Sequence, residues 1–171
     1  CHHNRKLGGY HCHRGELAGQ SFSSKAEAQG IRQPPPESLE GTPLVIDGDT
    51  IEVAGQRIRL HGIDAPEWEQ TCTKGAEQYS CGQAATTALK EMVADREVNC
   101  QGKDVDRYGR IVAVCSVGET DINARMAVLG WALAYRRYSM DYVDEEATAE
   151  VSRSGMWAGE FMKPWEWRHN R

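Results

Sequence analysis

The chain has 171 residues, with 20 Lys plus Arg against 25 Asp plus Glu, for a net charge of −5. A hydrophobic fraction of 40% beside 26% charged residues supplies a core, excludes global disorder, and at this length suits one domain with an appendage. No apolar run approaches the roughly 18 residues that cross a bilayer, and the acidic balance excludes a protein that coats nucleic acid by bulk attraction, though not an enzyme that grips one phosphate locally.

In chain order, residues 1 to about 40 stand apart. They hold His2, His3, His11, His13, Cys1 and Cys12, and end in Pro34-Pro35-Pro36, a stiff extended linker that sets a boundary before residue 41. Cys1, Cys12 and the imidazoles around Gly8-Gly9 leave three readings open: a Cys1–Cys12 disulfide, a Zn²⁺ site, or disorder. The first residue is Cys1 and not Met, so the absence of an export signal says little about destination, and a lipid anchor on Cys1 is a further reading.

Leu44-Val45-Ile46 leads through Asp47-Gly48-Asp49-Thr50 into Ile51-Glu52-Val53, whose alternation is that of a strand. Ala54-Gly55-Gln56 reads as the turn of a hairpin. In the return strand Ile58 and Leu60 face one way while Arg57, Arg59 and His61 face the other. Ala85, Ala88, Leu89, Met92 and Val93 form one apolar stripe and predict a helix over 82–96. Residues 97–100 and 110–115 read as two further strands. Asp121 caps a helix that Gly130 ends, and residues 142–154 form a third helix closed by Gly155. The pattern predicts an α+β fold with a small, mostly antiparallel barrel.

The six cysteines fall at 1, 12, 72, 81, 100 and 115. Close-spaced pairs suit disulfides and an oxidising compartment, with scattered buried thiols as the alternative. Cys100 and Cys115 lie on adjacent antiparallel strands and Cys72 and Cys81 bound a short step before the first helix, so the expected bonds are Cys100–Cys115 and Cys72–Cys81, with Cys1–Cys12 as the third.

Asp47, Asp49 and Asp64 sit at strand ends followed by Glu67, and hard oxygen donors at turns suit Ca²⁺ or Mg²⁺, although Asp-Gly also simply favours turns. Arg59 and Arg110 offer planar forks for a phosphate, or ordinary surface ion pairs. Taken together, Ile46-Asp47-Gly48-Asp49-Thr50, Arg59-Leu60-His61-Gly62-Ile63-Asp64-Ala65-Pro66-Glu67 and Asp106-Arg107-Tyr108-Gly109-Arg110 closely resemble the staphylococcal (thermonuclease) nuclease family over about residues 44–160. Gly155-Met156-Trp157 and Pro164-Trp165-Glu166-Trp167-Arg168 resemble the end of its secreted bacterial members.

The resemblance implies a five-stranded OB-type barrel with three helices and phosphodiester hydrolysis in DNA and RNA. Carried over by position, Asp49 and Asp64 would ligate the metal through carboxylates and Ala65 through its carbonyl, with Asp47 in support and calcium ahead of magnesium. Ala65 replaces a usual Thr, which a main-chain ligand survives. Glu67 would activate water, and Arg59 and Arg110 would hold the scissile phosphate. Tyr108 and Arg107 would lie beside the nucleotide, and Tyr135 and Tyr138 would line its pocket, each being otherwise a rim residue. Residues 68–81 form a cysteine-bounded insertion where the staphylococcal enzyme has a basic, flexible loop. From residue 41 onward 15 basic residues face 21 acidic ones, so grip must come from the cleft and fall with salt. The expected protein is an exported, secreted or periplasmic, monomeric endonuclease. Its rival is a catalytically inactive binding module for nucleic acid or protein on the same barrel, disfavoured because Arg59, Glu67 and Arg110 are all present.

Overall fold

The computed structural model describes residues 35–171 in full and, of the first 34, only three short backbone strands. The chain divides into two compact units, residues 1–34 and 35–171. In the first unit His2–His3 pairs antiparallel with Tyr10–His11, which pairs with Ser21–Phe22. The expected Cys1–Cys12 bond, the zinc reading and lipid attachment at Cys1 fall outside the described residues. The second unit opens at Pro35 instead of near residue 41, and the Gly102 amide already donates to the Glu37 carbonyl at 3.3 Å.

Its strands are β1 (Ser38–Gly41), β2 (Leu44–Asp47), β3 (Thr50–Val53), β4 (Gln56–Leu60), β5 (Ile63–Asp64), β6 (Cys72–Lys74), β7 (Glu77–Tyr79), β8 (Val98–Val105), β9 (Ile111–Val117), β10 (Thr120–Asp121) and β11 (Leu133–Ala134). The helices are α1 (Cys81–Val93), α2 (Ile122–Val128), α3 (Val143–Ser152) and the short α4 (Pro164–His169), with a single 3₁₀ turn at Gly155–Ala158. The main sheet runs β1-β8-β9-β4-β3-β2, antiparallel except for the β9–β4 pair. Its two edges, β1 and β2, are consecutive in the chain and separated only by Thr42-Pro43. One interrupted strand therefore serves both edges and curls the sheet into the expected barrel, with Pro43, which has no amide to donate, at the break.

The alternation read from the sequence decides what is buried. Ile51, Val53, Ile58 and Leu60 are buried and pack with Leu89, Val98, Ala113, Cys115, Ile122 and Met126. Ala54 and Gly55 both take positive φ, 52° and 76°, as the twist of a two-residue hairpin requires. Helix α1 begins one residue before the expected start and stops three before the expected end, because Ala94 and Asp95 both turn left-handed on the way to β8. Asp121 caps α2 as expected, accepting from the Ala124 amide at 2.9 Å.

A second, smaller cluster lies around Cys72, Cys81, Leu133 and Met156, with Tyr79, Trp131, Trp157, Phe161 and Trp165 packed against it. The insertion is a hairpin, β6–β7, whose Thr73 exchanges backbone hydrogen bonds with Glu160 at 2.9 and 2.8 Å. Cys72–Cys81 closes this hairpin onto α1 (Cα–Cα 5.6 Å), and Cys100–Cys115 joins directly opposite residues of β8 and β9 (Cα–Cα 4.0 Å). Among the described residues no helix is long and apolar enough to cross a membrane.

Candidate active site

The β2–β3 turn places the first carboxylates. A register shift between Val45 and Asp47 bulges the strand and re-aims Asp47, and the Asp49 amide donates to Asp47 Oδ1 at 3.1 Å. Asp49 is buried. Its Oδ2 accepts from the Ala65 amide at 2.8 Å, its Oδ1 from the Thr50 hydroxyl at 3.1 Å, and its carbonyl from the Leu60 amide at 2.8 Å. Residues of β3, β4 and the end of β5 thus hold the Asp49 carboxylate and main chain together.

Arg59 leaves β4 and folds back over the turn into β5. Its Nη1 donates to the carbonyls of Leu60 and Ile63 at 3.1 and 2.9 Å. Its Nη2 lies between Asp64 Oδ1 at 3.1 Å and Asp49 Oδ2 at 3.3 Å. Asp64 is fully buried on β5, where it pairs with Leu133 of β11. Glu67 follows in a loop that Gln70 organises from a buried position. The Gln70 side chain accepts from the Glu67 amide at 3.2 Å and donates to the Met162 carbonyl at 2.7 Å. The first turn of α1 backs this loop so closely that a Cβ on Gly82 would lie 1.8 Å from the Glu67 carbonyl oxygen. Only glycine fits there.

The electrostatics follow from burying several carboxylates together. Burial, with the charge of Asp49 beside it, pushes Asp47 up to about 7. Burial also raises Asp64 to about 6, against hydrogen bonds and charge from Arg168 and Arg59. At Asp49 burial is outweighed by the Arg59 charge and by hydrogen bonds from Asp47, Ala65 and Thr50, so its pKa falls below the usual carboxylate range.

Of the expected site residues, Asp47, Asp49, Arg59, Asp64, Ala65 and Glu67 come together. Arg110 is placed by register: Val112 lies beside Arg59 across the parallel β9–β4 pair, and Arg110 is two residues earlier along the same face. Its guanidinium is anchored locally at one nitrogen, with Nε donating to Asp106 Oδ2 at 2.7 Å, while Asp106 Oδ1 accepts the Tyr108 and Arg110 amides. Tyr108 is exposed, with Arg107 and Arg110 over its ring at 4.9 and 5.4 Å. Tyr135 and Tyr138 meet edge to face at 4.8 Å, and Tyr135 also stacks on Trp165 at 5.3 Å. A groove of about 470 Å³ beside them is lined by Arg137, Lys163 and Trp165. Among the described residues no three His, Cys, Asp or Glu side chains converge as a finished cation cage. Arg59 stands between Asp49 and Asp64.

Three residues that sequence reasoning did not assign to the site belong to its frame: Gln70, Gly82 and Arg168. Arg168 Nη1 donates to Asp64 Oδ1 at 3.0 Å and to Glu67 Oε1 at 2.6 Å, and Nη2 donates to Asp64 Oδ2 at 2.7 Å. The available signal was Pro164 as a helix start, with Trp165 and Arg168 three apart on one face.

The family model described as "Staphylococcal nuclease homologue" matches residues 57–159. The chain is 36% identical over 126 residues to the "Succinoglycan biosynthesis protein ExoI" of Rhizobium meliloti, covering 71% of this chain and 65% of that protein. It is 35% identical over 135 residues to an "Uncharacterized endonuclease" of Escherichia coli (74% and 82% covered). A "Micrococcal nuclease" of Shigella flexneri is 34% identical over 142 residues (72% and 76%). The chain therefore spans just under two thirds of the Rhizobium relative and about four fifths of the Escherichia one.

Proposed function

The chain belongs to the staphylococcal nuclease family, and from that premise we propose that it is an endonuclease hydrolysing phosphodiester bonds of DNA and RNA. One observation carries the reading: Asp49 from one motif meets Arg59 and Asp64 from the next within ion-pairing reach at one end of the barrel, and Arg168 ties Glu67 to Asp64 beside them. Relatives named endonuclease and micrococcal nuclease support the same activity.

Each residue has a role its chemistry suits. Glu67, half-buried and next to the buried acids, orients or deprotonates the attacking water. Arg59 and Arg110 meet the phosphate with planar forks and stabilise the charge that grows on its equatorial oxygens. For this Arg110 presents its Nη groups while Nε stays on Asp106. Tyr108 with Arg107, and Tyr135 with Tyr138, supply stacking faces for bases.

A hard divalent cation fits the donor set. Among the described residues Asp47, Asp49, Asp64 and Glu67 are faced by two guanidiniums, Arg59 and Arg168, and Asp47 makes no ion pair with either. Asp49, Asp64 and the Ala65 carbonyl would hold it, with Asp47 in support, and Ca²⁺ is the expected ion ahead of Mg²⁺ because it accepts several protein oxygens in irregular geometry. When bound it polarises a phosphoryl oxygen. The two disulfides suit an exported protein, secreted or periplasmic.

The test is digestion of plasmid DNA and of RNA by the purified protein, with chelator and with each divalent ion restored. Glu67→Gln, Arg59→Ala and Arg110→Ala are each expected to lower turnover at least about 100-fold. A wild-type chain that binds nucleic acid yet cleaves neither polymer under any ion would establish the inactive binding module instead.

A further inference from the structure

We propose that Arg168 is the third arginine of this site, a positioning residue that sets the Glu67 carboxylate relative to Asp64 through a single guanidinium. The proposal rests on the reading of Glu67 as the group that orients water. Asp64 needs little help: it is buried and paired into a strand. Glu67 differs. Its main chain is fixed by Gln70 and Gly82, but its side chain is part-exposed and has three torsions to order. Among the described residues its one ion pair is to Arg168.

A guanidinium suits this task because its fork is planar and its donors diverge at fixed angles. Nη1 bridges Asp64 Oδ1 and Glu67 Oε1, while Nη2 closes the bidentate pair on Asp64 Oδ2. The rigid strand carboxylate is thus the reference against which the loop carboxylate is set. Near-attack geometry is demanding, and misplacement of a reacting group by about 1 Å can cost about 100-fold.

The tail that delivers Arg168 is held by other contacts. Glu160 pairs with Thr73, the Met162 carbonyl accepts from Gln70, Pro164 is buried, Trp165 stacks on Tyr135, and Arg171 pairs with Glu69. Retention of the tail therefore does not require the Arg168 head group, whose three hydrogen bonds are all spent on site carboxylates. The cysteine-bounded insertion and the tail form one brace, and Arg168 is the part of it that enters the site.

Arg168→Ala, Arg168→Gln and Arg168→Lys are compared with the wild-type chain and Glu67→Gln on a defined oligonucleotide in calcium. For Ala and Gln kcat is expected to fall about 10–100-fold with KM within about twofold. Lysine, a point charge without the fork, should recover only part of the loss. Millimolar methylguanidinium should raise the rate of Arg168→Ala and leave Glu67→Gln unchanged. Thermal midpoints within a few degrees of wild type separate these effects from misfolding, and Arg168→Gln serves if the alanine variant is unstable. Wild-type or faster turnover in Arg168→Ala would overturn the proposal and make the tail a surface contact or a plug. A loss confined to KM, or no response to methylguanidinium, would overturn it too. Full activity in Glu67→Gln would instead defeat the reading of the site itself.

Discussion

The larger core draws Ile51, Ile58, Leu60, Ala113 and Cys115 from the inward faces of paired strands, while the smaller one gathers Cys72, Cys81, Leu133, Met156, Trp157, Phe161 and Trp165 from an insertion, a loop and the tail. The first is held by strand register, which fixes side-chain direction along every element it touches. The second is held by a disulfide, ring packing and a few long-range bonds such as Thr73 to Glu160. The site lies where they meet. The barrel supplies Arg59 on β4 and Asp49 in the β2–β3 turn, and Asp64 sits beside them on β5. The smaller cluster adjoins the loop that carries Glu67 and brings Arg168 to it. A rigid frame thus carries charges that tolerate no drift, and a separately braced annex presents the group that must approach water.

The largest effect is expected on the barrel side. Arg59→Ala leaves Asp49 and Asp64 buried and facing one another without the cation between them. Removing one partner of a buried pair typically costs about 3–5 kcal/mol. Turnover should fall at least about 100-fold and the denaturant midpoint should drop clearly, both read on one preparation. A normal midpoint with normal turnover would mean that the frame does not depend on this guanidinium.

Gly82→Ala probes the junction. The new Cβ meets the Glu67 carbonyl, so either the loop or the start of α1 must shift. Overpacking of this kind costs roughly 1–3 kcal/mol, and turnover should fall about tenfold because Glu67 moves while Asp49 and Asp64 stay. Unchanged kcat would show that the Glu67 side chain corrects for its backbone.

What could be read from the sequence divides along the same line. Alternation at Ile51, Val53, Ile58 and Leu60 announced the barrel, because a strand with one wet face writes its period directly into the chain. Motif spacing brought Asp49, Arg59, Asp64 and Glu67 forward as a group. The annex had no period to read. Its hairpin is two three-residue strands, and its core joins Cys72 to Trp165 across most of the domain. Arg168 stands about a hundred residues from its partners, and Gly82 shows its role only through the backbone packed against it. Nor was the local pairing of Arg110 with Asp106 legible, since it depends on a loop folding back on itself.

The annex should also loosen independently. In the loop-entropy account, removing Cys72–Cys81, which closes nine residues, costs about 2–3 kcal/mol. In Cys72→Ala/Cys81→Ala, amide exchange is expected to accelerate in β6, β7 and the segment from 155 to 169 while β3, β4 and β9 keep their protection. Activity should fall only a few-fold. Uniform acceleration through the barrel strands would show that the two cores unfold as one.

The smallest effect is a pH slope rooted at the barrel end. Asp47 near 7 and Asp64 near 6 both lie above the ordinary 3.8, so between about pH 4 and 7 the folded chain binds more protons than the unfolded one. Stability from these groups is full below the unfolded pKa and is lost as pH rises through their folded values. Asp49, shifted down, has the opposite sign, but its window lies below the ordinary carboxylate range and leaves this interval untouched. In chelator the thermal midpoint should therefore decline between pH 5 and 8, by roughly 2–6 °C for a domain of this size. Asp47→Asn should flatten the decline and raise the midpoint at pH 8, because the amide never acquires the charge that burial opposes. Added calcium should flatten it as well, since a cation held by these carboxylates favours their ionised forms. The disulfide-free variant should melt lower and keep the Asp47 part of the slope, while the Asp64 part follows how firmly Arg168 stays in place. A slope that rises with pH would place the titrating carboxylates elsewhere than at the barrel end.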